Sequence, residues 1–302
     1  MAQALISGRG ALPAAVAAEM EAPLVCTLMG NMPDGLEPEI IFRLEHLGSL
    51  IETLTSRGIR EVCFCGAVSR PEIDIAQIDA ATIPLVPVLQ RAIQPGDDGA
   101  LRAIIQVFEG AGFTVKGAHE IAPILLPPVG TQTQVLPDGA IDREMRLARQ
   151  VLAEMAAIDE GQACVIRADA VLAREDARGT DAMLADLAKP RSALMPPADD
   201  PFSWVMDGVG EVLDEAADWL SGEAAEKARR KGAGGVLFKG PKPGQDRRAD
   251  LPTIGPATIR GAARAGLRGL VLDAGGVMVL ERAEVLRLCD QAGLFLTVRE
   301  IL

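Results

Sequence analysis

Lys239-Gly-Pro-Lys-Pro-Gly-Gln-Asp-Arg-Arg-Ala-Asp-Leu-Pro-Thr-Ile-Gly255 follows the apolar run Gly235-Val-Leu-Phe238 and precedes a helix-like segment that begins at Thr258. Strand, loop and helix in that order form the repeating unit of an α/β protein, and such loops are where these folds place their chemistry. The glycines and prolines between Gly240 and Gly244 exclude regular structure there. Lys239, Lys242, Arg247 and Arg248 share the run with Asp246 and Asp250. Cations without aromatic neighbours suit a phosphorylated ligand, and a carboxylate among them can hold a divalent metal or activate water. The same composition also describes a solvated, charged loop.

The 302 residues suffice for two domains with a sizeable core each. A net charge of −12 argues against a nucleic-acid partner and limits any membrane contact to a peripheral one. A basic loop on an acidic body suits an anionic small molecule better. No apolar run reaches the roughly 18–20 residues that span a bilayer, and MAQALISGRGALPAAV lacks the basic and apolar regions of a signal peptide. Both observations predict a cytoplasmic protein. Cys26, Cys63, Cys65, Cys164 and Cys289 lie in apolar contexts, as buried thiols do. Cys63 and Cys65 share one face of a strand without a second ligand pair, so they do not read as a zinc site.

Toward the N-terminus, residues 3–7 read as a buried strand that runs into Gly8-Arg-Gly-Ala-Leu-Pro13 and a helix from Ala14 to Glu21. This opening of a βαβ unit either presents Gly10 and Leu12 to a phosphate or is simply a tight turn. It fails as a dinucleotide fingerprint, because Pro13 replaces the third glycine and no acid follows the second strand, 24–28, at the required distance. A helix spans 42–57, where His46 among leucines reads as structural. Val62–Gly66 is a further strand, and Arg70 beyond it either binds a ligand or caps a helix. A helix covers 83–93, Asp97 or Asp98 caps the next one at 101–110, and strand 113–115 leads to His119. Together these elements predict a Rossmann-like parallel-sheet domain at 1–130.

The proline-rich stretch 121–140 reads as a connection between domains, and a cleft with phosphate-binding residues on both sides of it is expected to close on its ligand. A mixed α/β domain is expected over 141–302. Its elements are a helix from Asp142, a hairpin of 163–168 and 170–173, and a helix opening at Thr180 or Asp181, where an anion would sit naturally. A loop at 189–204 and an apolar helical stripe from Val209 to Leu220 follow. After the cation-rich loop come strand 269–272, a two-strand turn at Asp273–Gly276 before 277–280, helix 281–292 and strand 294–298.

KGPKPGQDRRADLPTIGPATI, with GRGALP, GAVSRP, GDD, GAHE, DEGQ, GTDAML and AGLRGLV in the same order, resembles the UDP-2,3-diacylglucosamine pyrophosphatases of the LpxI type. The likeness runs over nearly the whole chain except about 189–230, and Arg9 departs from the glycine usual in the family's opening turn. The resemblance implies an enzyme of lipid A biosynthesis that uses a divalent metal, Mg2+ or Mn2+, to hydrolyse UDP-2,3-diacylglucosamine to UMP and lipid X, 2,3-diacylglucosamine 1-phosphate. It implies that water attacks the phosphorus on the sugar side, that the site lies between two domains, and that the protein is a homodimer working at the inner face of the membrane. Carried onto this sequence, Asp250 and His119 are the expected catalytic residues. Gly10, Leu12, Arg70, Thr180, Asp181, Lys239, Lys242, Gln245 and Arg248 are expected to hold phosphate and substrate, and Asp250, Asp246 and Asp97 to reach the metal. A non-catalytic protein that binds the same nucleotide sugar is the rival expectation.

Overall fold

A computed structural model describes residues 2–69, 73–92, 97–190, 230–242, 244–248 and 251–301. Arg70, Asp250, the side chain of Asp97 and the stripe 209–220 fall outside the described residues. The chain forms two compact units. One comprises 1–127, 243–253 and 275–280, and the other 128–242, 254–274 and 281–302.

In the first unit, five strands form a sheet in the order β3-β2-β1-β4-β5. They are β1 (Gln3–Ser7), β2 (Leu24–Leu28), β3 (Ile40–Phe42), β4 (Glu61–Cys65) and β5 (Thr114–Lys116). All four pairings are parallel. Every residue of β2 and all but Gln3 of β1 are buried, as strands covered on both faces require. Helices α1 (Leu12–Ala17), α2 (Leu47–Ser56), α3 (Val86–Ala92), α4 (Asp97–Gly110) and α5 (Ala118–Ile121) supply the covering. Leu47, Leu50 and Leu54 of α2 and Ile105 and Phe108 of α4 pack into one core with Ala4, Cys26 and Val62 of the sheet. α1 begins and ends earlier than its sequence suggests, because Pro13 sits in its first turn, where no amide is needed.

The second unit holds a mixed sheet in the order β6-β11-β10-β9-β7-β8. Its members are β6 (Gly130–Thr131), β7 (Ala163–Arg167), β8 (Ala170–Arg174), β9 (Val236–Lys239), β10 (Gly269–Asp273) and β11 (Phe295–Arg299). β10 lies parallel to β9 and β11, whereas β7 is antiparallel to β8 and β9. The hairpin at Asp169 is therefore present. Helices α6 (Ile141–Ala157), α7 (Thr180–Leu187) and α9 (Arg282–Ala292) pack on these strands, and α8 (Pro256–Arg264) packs on α7 and α9.

Further sequence expectations change. The helix expected over 42–57 begins only at Leu47, because Ile40–Phe42 pairs as β3. Residues 273–276 do not join paired strands, since β10 lies between β9 and β11. The Ala274 amide instead donates to the Arg299 carbonyl, and buried Asp273 accepts from the Ile301 amide at 2.8 Å. The segment that follows belongs to the first unit, where the Met278 amide donates to the Pro252 carbonyl at 2.8 Å. The connecting stretch is also shorter than its prolines suggest. Gly130 and Thr131 already pair with β11, and the Gln132 amide bonds the Leu296 carbonyl.

Candidate active site

The run from Lys239 to Gly255 is divided between the units. At the carboxyl ends of β1 and β4, where the strand order of the first sheet reverses, two glycine turns meet backbone to backbone. The Gly8 amide bonds the Cys65 carbonyl, and Arg9 and Ala67 exchange both of their backbone bonds at 2.8 and 3.0 Å. A Cβ on Gly8 would stand 2.6 Å from the Ala67 carbonyl oxygen, so only glycine permits this approach. Beneath it, the buried hydroxyls of Ser7 and Thr27 lie 2.7 Å apart, and Asn31 Oδ1 accepts the Ser69 amide at 2.7 Å. Open α/β sheets bind ligands at such a reversal. Gly10 and Leu12 lie in this turn, with Leu12 packed against the core. Arg9, the departure from the family pattern, is used through its backbone.

A second feature of the same unit is a cavity of about 520 Å3 between α4, the start of α5 and residues 244–248. Arg102, Gln106 and Glu109 line it from α4, together with His119, Arg247 and Arg248. Spacings of four and three residues put the three α4 side chains on one helical face. Arg248 donates through Nε and Nη2 to the two oxygens of Asp246 at 2.9 and 2.7 Å, and through Nη1 to Glu109 at 2.6 Å. The Arg248 backbone amide also donates to Asp246 Oδ1 at 3.0 Å. Chiefly this guanidinium holds the Asp246 carboxyl below its usual range, and the two carboxylates push Arg248 upward in turn. Arg102 donates to the Gly244 carbonyl, which fastens the other end of the short loop to α4.

His119 is held beside this loop by a close approach. A Cβ on Gly117 would lie 2.5 Å from Cε1 of His119 and 3.3 Å from Cα of Arg248. Burial lowers the imidazole pKa, the charge on Arg247 lowers it further, and Glu120 opposes both. Its buried Nδ1 has no hydrogen-bond partner among the described residues. An imidazole whose pKa is held down, at the wall of a cavity lined by both arginines and carboxylates, can accept a proton.

In the second unit, Lys239 is 7% exposed and donates to Thr180 Oγ1 at 2.7 Å. That hydroxyl donates to Glu175 Oε1 at 2.5 Å, and Glu175 Oε2 accepts the Gln162 amide at 2.6 Å. Thr180 opens α7, and Asp181 is exposed in its first turn. Lys242 reaches Asp159 at 2.6 Å. The structure thus brings His119, Gln245, Asp246 and Arg248 together in one place, and Thr180 with Lys239 in another. Sequence reasoning missed Arg102 and Glu109, although their helical spacing was visible. It also missed Glu175, five residues before Thr180, and Asp159, which only a tertiary contact connects to Lys242. Among the described residues, no three His, Cys, Asp or Glu side chains gather in one place. No helix among them is long and apolar enough to cross a membrane.

Comparison with known proteins gives a consistent result. Residues 2–125 match the family model described as the LpxI N-terminal domain, and residues 128–297 match that of the LpxI C-terminal domain. A Caulobacter vibrioides protein named UDP-2,3-diacylglucosamine pyrophosphatase LpxI is 35% identical over 297 residues, covering 96% of this chain and 95% of its own.

Proposed function

This chain belongs to the LpxI family, and we propose that it hydrolyses the pyrophosphate of UDP-2,3-diacylglucosamine to UMP and lipid X in lipid A biosynthesis. The observation that carries this reading is the near full-length match to a relative named for that activity. The cavity chemistry is compatible with it. Pyrophosphate cleavage requires charge neutralisation, an aligned water and a stabilised leaving phosphate. Arg248, with Arg102 and Arg247 beside it, supplies cations, Gln245 supplies an amide, and His119 takes the proton from water in this reading. Lys239, Lys242, Thr180 and Asp181 of the second unit, Arg70, and the backbone at Gly10 and Leu12 complete the proposed phosphate and substrate set. Water adds to the phosphorus that bears the sugar, and the bond from that phosphorus to the bridging oxygen breaks, leaving UMP.

A divalent ion, Mg2+ or Mn2+, belongs to the same reading. Asp246 reaches such an ion only by sharing oxygens that already accept from Arg248, which puts Asp250 first and Asp97 second among the carboxylates. One or two carboxylates suffice, because magnesium takes its remaining ligands from phosphate and water. When bound, the ion would neutralise phosphate oxygens and acidify a water. We place the protein in the cytoplasm as a homodimer that meets its lipid substrate at the inner face of the membrane.

The test is incubation of the purified protein with UDP-2,3-diacylglucosamine and Mg2+ in 18O-labelled water, with and without chelator. UMP and singly labelled lipid X are expected, and chelator should abolish both. Binding without turnover would favour a non-catalytic nucleotide-sugar protein. Label in UMP would reverse the attacked phosphorus, and full activity in excess chelator would remove the metal.

A further inference from the structure

We propose that Glu109 is a positioning residue that aims Arg248 at the phosphate of the substrate, an inference that rests on the reading of Arg248 as a phosphate ligand. A guanidinium carries five N–H donors in a fixed plane. Two go to Asp246 and one to Glu109, so two N–H groups of Arg248 have no partner among the described residues. Those two lie on a group that lines the cavity.

The two carboxylates have different consequences. Asp246 is two residues from Arg248 on the same short loop, so their fork fixes the guanidinium only relative to that loop. Glu109 lies 139 residues away, one position before the end of α4. Its bond ties the guanidinium to the helix that forms the opposite wall of the cavity. Arg102, two turns earlier on the same face, fastens the Gly244 carbonyl of the same loop. The helix therefore holds the loop at both ends, and Glu109 is the attachment that acts on the cation itself. Between Asp246 and Glu109 the plane of the guanidinium is determined, as bidentate recognition of a phosphate requires. Without Glu109 the side chain keeps its charge and its loop partner but loses its direction.

The experiment compares Glu109→Ala, Glu109→Gln and Arg248→Lys for KM and kcat on UDP-2,3-diacylglucosamine, with melting temperature recorded on the same samples. For Glu109→Ala we expect KM to rise about tenfold, the size of one charge-assisted hydrogen bond. Glu109→Gln, which keeps an acceptor oxygen, should restore part of this. In an Arg248→Lys background, Glu109→Ala should add nothing further, because both changes remove the same interaction. An unchanged KM in both Glu109 variants, with Arg248→Lys impaired, overturns the positioning role and leaves the phosphate reading intact. An unimpaired Arg248→Lys variant overturns the phosphate reading and this inference with it. A lowered melting temperature with unchanged KM would make Glu109 a structural residue only.

Discussion

The imidazole of His119 occupies the space that a side chain on Gly117 would need: a Cβ there would lie 2.5 Å from Cε1 and 2.7 Å from Nδ1 of the ring. The glycine is required by packing. Its φ of −74° and ψ of 148° are open to any residue, and it precedes α5 as an extended cap. Arg248 Cα stands 3.3 Å from the same point, so the glycine also sets how closely the cationic loop approaches the histidine.

Gly117→Ala should therefore displace both groups. Overpacking of this kind costs about 1–3 kcal/mol, and turnover should fall at least as much as stability does. Thermal melting and steady-state rates measured on one preparation check this. An alanine variant with native melting and native turnover would mean that the histidine position is irrelevant to the chemistry.

The depressed imidazole pKa makes a pH prediction with a definite sign. Below its folded pKa, His119 is charged in both states and contributes no pH slope. Between that value and the ordinary value near 6.5 the unfolded chain binds more protons, so stability rises with pH and is fully recovered above about 6.5. Glu45 behaves differently. Arg43 chiefly holds its pKa down at about 2, so its contribution is present above about 4.5 and is lost as pH falls toward 2. Melting temperature followed from pH 7.5 to 2.5 should show two separable losses. His119→Gln should remove the upper one alone, and a variant that keeps it would reassign that proton to another group.

Glu45 also anchors a loop. Its side chain is 3% exposed, accepts from Arg43 at 2.8 Å, and takes the Asp74 amide at 3.0 Å. Glu45→Ala should cost on the order of 2 kcal/mol, the scale of hydrogen bonds to a charged group. The effect should appear as faster amide exchange over 73–82. Protection unchanged in that stretch would assign its order to other contacts.

Lys239 and Glu175 are joined through one hydroxyl, that of Thr180. Removing the ammonium breaks this buried chain of hydrogen bonds, so Lys239→Met should destabilise the protein by about 1–3 kcal/mol. The double variant Lys239→Met with Glu175→Met should recover much of that loss. If Lys239→Met instead melts normally and only KM rises, the lysine serves the ligand and the buried relay is incidental.

Asp250 gives the sharpest test of the proposed chemistry. A surface ion pair at this position would be worth about 0–1 kcal/mol and its loss would leave turnover intact. A carboxylate that holds the metal or orients water should, as Asp250→Ala, lower kcat on the order of 10²-fold, about 2.7 kcal/mol, with substrate still bound. Single-turnover rates with bound substrate separate the two, and near-normal turnover would transfer the role elsewhere.

By itself the sequence determined the α/β class, most strand positions, the family and the charged loop. Each of these is written in short-range terms. Largely apolar runs such as 24–28 and 269–272 need burial on both faces, and glycine or proline marks where they stop. The strand partners of 269–273 were not legible. The turn at 273–276 has local hairpin chemistry, yet burial of Met278 with Leu251 and the Met278–Pro252 bond draw the next segment away. Nor was the setting of the cations legible. Arg248 and Lys239 were visible as charges, but the clamp of Arg248 joins residues 139 apart, and the hydroxyl that Lys239 bonds is 59 residues distant. Propensity and pattern act over a few residues, whereas the direction of a guanidinium or the burial of an ammonium depends on partners that only the folded chain brings within about 3 Å.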